Sequence, residues 1–183
     1  MGFLGLPHEI RTERLLLRRW RDADRAPFAV MNADARVMEH FPALQSREES
    51  DATVARIEAH FAEHGFGLWA FEVSGVAPFA GFVGLCRPWI EAHFTPCVEI
   101  GWRLAAEHWG CGYATEGARA ALALGFQTLR LAEIVSYTVP ANLRSRRVME
   151  KLGMTHSPDD DFDHPLLAPG HVLRRHVLYR VAR

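Results

Sequence analysis

The sequence predicts a mixed α/β fold, in which one β-sheet carries helices on both faces. Two patterns support this fold: short apolar runs with alternating or β-branched character, and longer stretches in which apolar residues recur at helical spacing. Their order is strand, two helices, three strands, helix, strand, helix and a last strand. The 183 residues, 49% of them hydrophobic, suffice for one full core but hardly for two, so residues 1–183 are expected to form a single domain.

Charge and cysteine content argue against several classes of protein. The formal net charge is −1, which gives no global basic field for nucleic acid. Three cysteines without a CxxC pair fit a reducing compartment better than a disulfide framework. The N-terminal segment lacks the basic part of a secretory signal, and no apolar run approaches the roughly 20 residues that span a bilayer. We therefore expect a cytoplasmic protein that has neither nucleic acid nor a membrane as partner.

A strand and a short helix open the predicted fold. Residues 13–20 have charged ends around an apolar middle, which is typical of a β-strand. Asp22 and Asp24 follow at positions where an N-cap would stand, and the apolar residues after them predict a helix around residues 26–31.

A longer helix and a hairpin come next. Ser46 and Glu49 have the spacing of a capping box, and apolar residues at helical spacing continue the helix to about His64. Two apolar runs separated by a short turn then predict a β-hairpin, whose strands cover residues 67–73 and 79–85.

Residues 98–104 alternate strictly between two kinds of residue and predict a strand. The apolar residues occupy one face, and Glu99, Gly101 and Arg103 occupy the other. Because the apolar face packs on the core, Glu99 is expected to look away from the main apolar layer. The core-facing residues are Val98, Ile100, Trp102 and Leu104.

Helices and strands alternate through the rest of the chain. Small and apolar residues at helical spacing predict a long helix that ends near residue 129 and lies close to the sheet. Its buried side consists of Ala114, Ala118, Ala121, Leu122, Gly125 and Leu129. The remaining predictions are a strand over residues 133–139, a helix over 143–152 between Asn142 as N-cap and Gly153 as C′, a loop over 157–170, and a last strand over 171–181.

A glycine-containing turn, Glu-His-Trp-Gly-Cys-Gly over residues 107–112, joins the alternating strand to the long helix. Such a turn directs several backbone N–H groups toward one point, where an anion such as a phosphate binds. A dinucleotide-binding fingerprint is weakly supported, because Thr115 stands where its third glycine belongs. A P-loop fails, because the single lysine of the sequence is Lys151. A tight turn that only needs positive φ is the remaining alternative.

Three motifs resemble those of the GNAT family of acetyl-CoA-dependent N-acetyltransferases: Trp-Gly-Cys-Gly-Tyr-Ala-Thr-Glu (109–116), Asn-Leu-Arg-Ser (142–145) and Glu-Lys-Leu-Gly-Met (150–154). The likeness is greatest to its branch of ribosomal-protein N-terminal acetyltransferases. The resemblance implies a mostly antiparallel sheet of about seven strands that splays in the middle. It also implies direct acetyl transfer from acetyl-CoA, without a metal, to a protein N-terminus or a small-molecule amine. A homodimer is a further expectation from the family.

The resemblance places acetyl-CoA between the strand that ends at Leu104 and the strand that starts at Glu133. Backbone N–H groups of the turn and of the first helical residues would hold its pyrophosphate, assisted by the helix dipole. A backbone N–H of Trp102, Arg103 or Leu104 would donate to the thioester carbonyl. Glu107 departs from the family pattern and is expected to point to solvent, since an acid would repel phosphate. The implied cradle consists of Trp109, Gly110, Cys111, Gly112, Tyr113, Ala114 and Thr115.

Glu99 and Ser145 are the implied catalytic residues. Glu99 is the candidate base, directly or through a water, and the alternative is an exposed carboxylate paired with an arginine such as Arg103. Many family members place a tyrosine seven residues after the asparagine as general acid, but Met149 stands there in this chain. In the ribosomal-protein branch a serine is the proposed proton donor, and Ser145 occupies its position. Asn142 would bind the pantetheine arm, or serve only as a helix cap, or do both.

Other features have plainer interpretations. Arg144, Arg146 and Arg147 would suit the 3′-phosphate and adenine, but a solvated basic face is the simpler explanation. The aspartates within residues 159–163 match no metal-binding loop, so no metal is expected. Cys111 is interpreted as a spacer, because direct transfer needs no acyl-enzyme. Two other functions stay open: a catalytically idle CoA-binding or sensing module on the same fold, and an NAD-binding protein.

Overall fold

A computed structural model describes residues 7–183. The helices within that range are α1 (Arg25–Asn32), α2 (Arg47–His64), α3 (Tyr113–Ala123) and α4 (Leu143–Lys151). The strands are β1 (Glu9–Arg11), β2 (Leu15–Arg18), β3 (Leu68–Val73), β4 (Ala77–Cys86), β5 (Glu99–Leu104), β6 (Glu133–Thr138), β7 (Thr155–His156), β8 (Phe162–Asp163) and β9 (Arg175–Ala182). Their order in the sheet is β1-β2-β3-β4-β5-β6-β9-β7, and β8 pairs with β9. None of these helices is both long and apolar enough to cross a membrane.

The sheet is antiparallel except at its centre, where β5 lies parallel to β6. These two strands share a single register pair, Glu99 with Val135, and the Val135 N–H donates to the Val98 carbonyl oxygen at 3.0 Å. The sheet therefore opens beyond Glu99. This confirms the mostly antiparallel, splayed sheet that the resemblance implied. The described residues form nine strands, and the three that no sequence pattern predicted are β1, β7 and β8, of only three, two and two residues.

Helices cover both faces of the sheet, as predicted. Val83 and Trp102 are cross-strand partners on the face that α3 covers. A Cβ at Gly117 of α3 would lie 2.7 Å from Val83 Cγ1, so the small residues of this helix do allow a close approach. The opposite face carries α1, whose Phe28 ring lies 6.0 Å from the ring of Phe82, centroid to centroid. Side chains that alternate along β5 are thus divided between two different environments.

Most of the predicted elements form near their predicted bounds. The capping box of α2 is confirmed, because Ser46 Oγ accepts from the Glu49 N–H at 3.2 Å and the Glu49 carboxylate accepts from the Ser46 N–H at 2.7 Å. The hairpin is confirmed as β3 and β4. The long helix ends regular α geometry at Ala123 and continues as one wider π turn, Leu124–Thr128.

Asp24 occupies the N-cap position of α1, as predicted, but its side chain does not cap the helix. Its carboxylate makes no capping hydrogen bond to α1 and instead accepts from the Arg18 guanidinium at 2.6 and 2.9 Å. Both side chains are 3% exposed, and Arg18 also pairs with Glu72 at 2.5 Å. This buried ion cluster ties β2, β3 and the turn before α1 together.

The C-terminal segment is more regular than predicted. The expected loop over residues 157–170 contains a 3₁₀ turn, Pro158–Asp160, and the strand β8. The last strand starts at Arg175, not at residue 171, because residues 171–174 form a turn in which the Arg174 N–H donates to the His171 carbonyl oxygen at 2.9 Å. Pairing with β9, which no local pattern specifies, makes β8 a strand.

Candidate active site

The turn between β5 and α3 presents backbone N–H groups that have no partner within the helix. Gly110 and Gly112 adopt φ of 77° and 84°, a region that L side chains rarely adopt. The first backbone hydrogen bond of α3 runs from the Glu116 N–H to the Gly112 carbonyl oxygen at 3.0 Å, so the N–H groups of residues 113–115 lack an intrahelical acceptor. Glu107, the first residue of the turn, is exposed as expected. This geometry suits an anion.

Side-chain hydrogen bonds and an ion pair hold this turn in place. The Trp109 indole N–H donates to the Leu104 carbonyl oxygen at 2.9 Å, which fixes the turn to the end of β5. Arg14 donates to the Cys111 carbonyl oxygen at 3.0 Å and forms an ion pair with Glu116 at 2.6 Å. Arg14 and Glu116 lie 102 positions apart in the sequence, so no local pattern signals the pair, and neither residue was predicted for the site.

Space and charge around the turn fit a pyrophosphate group. A Cβ at Gly110 would meet no atom within 4 Å, and a Cβ at Gly112 would meet only the Arg14 guanidinium, at 3.5 Å. The Arg144 guanidinium lies 4.6 Å from the centre of the Trp109 ring. Two cations therefore flank an open turn with free backbone donors.

The end of β5 offers its main chain to the opening of the sheet. Leu104 is buried, and Trp102 packs against the core. Beyond the pair of Glu99 with Val135, β5 and β6 share no register pair. Backbone groups on the β6 side of residues 102–104 are thus without a partner strand, which is where the resemblance places the thioester carbonyl.

Glu99 opens β5 on the face opposite α3, as the alternation predicts. It pairs across the sheet with Cys86, whose thiol sulfur lies 4.0 Å from Glu99 Oε2. Burial raises the pKa of Glu99 to about 7, and the nearby Tyr137 hydroxyl acts in the opposite direction. Burial and the Glu99 charge also raise the pKa of Tyr137 above its usual range. A carboxylate with a pKa near 7 is well matched to a general base at neutral pH.

Arg103 does not pair with Glu99, so that alternative is wrong. Its guanidinium donates to Asn32 Oδ1 at 2.8 Å and lies 4.0 Å from the centre of the Phe41 ring and 5.6 Å from that of Phe82. Burial lowers the pKa of Arg103 to about 10, so the side chain stays charged at neutral pH. In the described part of the chain, no Asp or Glu forms an ion pair with it.

Asn142 and Ser145 meet at the start of α4. Asn142 Oδ1 accepts from the Ser145 N–H at 3.2 Å, and the Asn142 amide donates to Thr138 Oγ1 at 3.0 Å. The capping role of Asn142 is confirmed, and its role toward pantetheine stays a prediction. Ser145 is partly buried, whereas Met149 is 1% exposed within the core and offers no hydroxyl group.

The three arginines of α4 point to different partners. Arg144 stacks on Trp109, whereas the Arg146 guanidinium donates to the Tyr179 hydroxyl at 3.2 Å. Arg147 is exposed. They do not form one basic site, although Arg144 lies beside the glycine turn.

Several of the aspartates near the C-terminus contact basic side chains. Asp160 pairs with Arg180 at 2.8 Å, and Asp161 lies 2.7 Å from His156 Nε2. Across residues 7–183, no group of three or more His, Cys, Asp and Glu side chains is arranged to hold a metal ion.

Comparison with known proteins identifies the family. A family model described as an acetyltransferase (GNAT) domain matches residues 14–155. The uncharacterised protein YkkB of Bacillus subtilis is 33% identical over 147 residues, which cover 80% of this chain and 84% of YkkB. A solved acetyltransferase from Agrobacterium tumefaciens is 27% identical, with a TM-score of 0.77 and coverage of 100% of this chain and 98% of that one. The ribosomal-protein-S5-alanine acetyltransferase of Vibrio fischeri shares the fold at 15% identity, with a TM-score of 0.72 and coverage of 95% and 96%. The chain belongs to the GNAT family of acetyltransferases.

Proposed function

We propose that this chain transfers the acetyl group of acetyl-CoA directly to a primary amine. One observation carries the proposal: the sheet opens between β5 and β6 immediately beside the glycine turn at the start of α3. An opening with free main-chain groups on one side and free helix N–H groups at its end suits a long ligand that has an anionic part and amide groups. Acetyl-CoA has both.

Acetyl-CoA binds mainly through the backbone in this proposal. The N–H groups of residues 110–115 hold the pyrophosphate, and Arg14 keeps the turn in place through the Cys111 carbonyl oxygen. A backbone N–H of residues 102–104 donates to the thioester carbonyl. The Asn142 side chain contacts the pantetheine arm while it caps α4. Because backbone groups make most of the proposed contacts with acetyl-CoA, side-chain identity in the turn matters less than the conformation that its glycines allow.

The chemistry needs a base, a polarised carbonyl and an acid. Glu99 takes a proton from the ammonium form of the acceptor, directly or through a water, and the neutral amine attacks the thioester carbon. A C–N bond forms and the C–S bond breaks. Ser145 donates a proton to the departing thiolate, and the proton held by Glu99 returns through solvent to the serine oxygen. The attacking nitrogen, which still carries one extra proton after the C–N bond forms, releases that proton to solvent. The products are the acetylated amine and CoA.

The acceptor is proposed to be a protein N-terminus or a small-molecule amine. Ribosomal-protein N-termini are included among the proposed acceptors because the ribosomal-protein-S5-alanine acetyltransferase of Vibrio fischeri shares the fold. The cytoplasmic location and the homodimer are further expectations, which cell fractionation and analytical ultracentrifugation measure.

The test is a thiol-release assay with acetyl-CoA and a panel of amines. The proposal predicts free CoA in amounts equal to the acetylated amine found by mass spectrometry. Calorimetry with CoA and with NAD serves as the binding control. CoA binding without thiol release for any amine would contradict the proposal and support an idle CoA-binding module. Binding of NAD in place of CoA would support a dinucleotide-binding protein.

A further inference from the structure

We propose that Arg103 binds a carboxylate of the acceptor, so that the chain acetylates amines that also carry a carboxylate group. This inference rests on the proposed function, because it names the acceptor class of that same site. It starts from Arg103, a partly buried cation whose Nε atom is fully buried without a partner and which has no counter-ion among the described residues.

Arg18 and Arg103 differ in how their charges are compensated within this structure. Arg18 is buried with two carboxylates, those of Asp24 and Glu72. Arg103 is only partly buried, and its one hydrogen-bond partner in the described residues is the neutral Asn32. Its Nε atom is buried without any partner. A buried charge that is not compensated within the protein is costly, and an anionic ligand removes that cost.

The surroundings of Arg103 keep its guanidinium in one orientation. Asn32 accepts from it and at the same time donates to Ser50 Oγ at 2.9 Å, which ties this contact to both α1 and α2. The rings of Phe41 and Phe82 lie near the guanidinium. Phe41 is 37% exposed, so this ring forms the boundary between the guanidinium and solvent. A planar, oriented guanidinium suits the two oxygens of a carboxylate.

The position of Arg103 relative to Glu99 connects it to the acceptor. Both side chains leave the same face of β5, and four residues of extended strand separate their Cα atoms by about 13 Å. Gly101 lies between them. A Cβ at Gly101 would meet only Glu99 Oε1 at 3.8 Å and Leu68 Cδ2 at 4.0 Å, so the surface between base and guanidinium is open.

The charges of Glu99 and Arg103 on this face of β5 are complementary to the two charges of a zwitterion. The amine end of an acceptor lies at Glu99, whose charged form attracts an ammonium group, and the carboxylate end lies at Arg103. A polyamine or an aminoglycoside would instead present a second cation to the uncompensated guanidinium. Amino-carboxylates are therefore favoured over amines with several positive charges.

The test compares acids with their amides on the wild-type enzyme. One arm pairs ω-amino acids of increasing length with the corresponding carboxamides, and a second arm pairs Ala-Asp with Ala-Asn dipeptide amides. We expect kcat/KM to be at least about tenfold higher for the acid in at least one arm, as for a lost hydrogen bond to a charged group. Preference in the first arm identifies a small amino acid as the source of the carboxylate, and preference in the second identifies an acidic peptide.

Variants then assign the preference to Arg103. Arg103→Gln should lower the acid-to-amide ratio of kcat/KM to near one, mainly through KM of the acid, and Arg103→Lys should restore part of it. Arg56→Gln, which removes an exposed arginine of α2, is the matched control and should keep the ratio. A ratio near one in the wild type, or a ratio that persists in Arg103→Gln, would overturn this inference and leave the proposed function standing. Absence of thiol release with every amine would overturn the proposed function and this inference together.

Discussion

Burial disfavours the ionised form of the Glu99 carboxyl group, and no nearby like charge has an effect of similar size. A carboxyl group in such a place titrates near neutrality, because the charged form loses water without gaining a cation. The proximity of the Cys86 thiol and the Tyr137 hydroxyl provides polar neighbours without a formal charge. The base of the proposed reaction is thus half ionised near pH 7.

The pH dependence of acetyl transfer follows from this pKa. For an acceptor whose own pKa lies above 9, which is therefore in its ammonium form over this range, kcat/KM should rise through about pH 7 as Glu99 loses its proton, and reach a plateau up to about pH 8.5. Glu99→Gln should lower kcat/KM by about 10²–10⁴-fold and remove this rise. Glu133→Gln, which changes an exposed carboxylate on β6, is the control. A wild-type profile that is flat between pH 5.5 and 8.5 would rule out Glu99 as the base.

The contribution of Glu99 to folding stability should change with pH in the opposite sense to kcat/KM. The pKa of Glu99 is higher in the folded chain than in the unfolded one, so its contribution to stability is full at low pH and is lost as pH rises through about 7. Glu99→Gln should therefore raise the melting temperature more at pH 8 than at pH 5. Each kcal/mol amounts to about 2–4 °C for a chain of this size. Differential scanning calorimetry at the two pH values measures the difference, and an equal effect at both would show that Glu99 titrates normally.

Ser145 lies in the first turn of α4 and is the proposed proton donor. Ser145→Ala should reduce kcat by about 10²-fold or more if the hydroxyl protonates the thiolate, while the dissociation constant for acetyl-CoA stays near that of the wild type. Its backbone N–H still caps with Asn142, so the variant should fold normally. Ser157→Ala, in an exposed turn, is the control. Unchanged turnover in Ser145→Ala would remove this residue from the mechanism.

At the scale of elements, the role of the glycine turn before α3 in CoA binding can be tested separately from the effect of backbone strain on stability. Gly112→Asp places a carboxylate beside the free N–H groups and forces a side chain into a positive φ of 84°. Gly75 has a φ of 71° and open space, but lies in the β3–β4 hairpin. Gly112→Asp should weaken CoA binding by at least about tenfold in calorimetry, whereas Gly75→Asp should cost similar stability and leave CoA affinity unchanged. Equal affinity in both variants would contradict the proposed cradle.

At the scale of the whole molecule, the buried ion cluster around Arg18 links β2, β3 and the turn before α1. Asp24→Ala leaves the Arg18 guanidinium with one carboxylate in place of two and should cost about 3–5 kcal/mol of unfolding free energy. Asp34→Ala breaks an exposed pair with Arg36 and is the control, which should keep the denaturation midpoint close to that of the wild type. Urea denaturation measures both. A small effect for Asp24→Ala would mean that Glu72 alone compensates Arg18.

Local patterns in the sequence were sufficient for much of this architecture. The capping box placed α2, strict alternation placed β5 and the face of Glu99, and the glycine turn placed the start of α3. Each of these depends on residues close together in the chain. The splayed sheet and the roles of Ser145 and Asn142 came instead from the family resemblance.

The strands and contacts that the sequence did not predict share a physical cause. The strands β1, β7 and β8 are too short to carry a period, and they are strands only because a partner strand accepts their hydrogen bonds. The contact of Arg103 with Asn32 joins positions 71 apart. Such contacts depend on how the sheet is assembled, and a single sequence contains no direct signal for them.

The single register pair between β5 and β6 has a mechanical consequence. The strands β1–β5 form one half of the sheet and β6, β9 and β7 form the other, and very few main-chain hydrogen bonds join the halves. In the free protein, amide hydrogens that face the opening should exchange with solvent much faster than those between β3 and β4. Acetyl-CoA would bridge both sides at once, so its binding should slow exchange in β5 and β6 together. In this enzyme the substrate would supply stiffness that the sheet itself lacks.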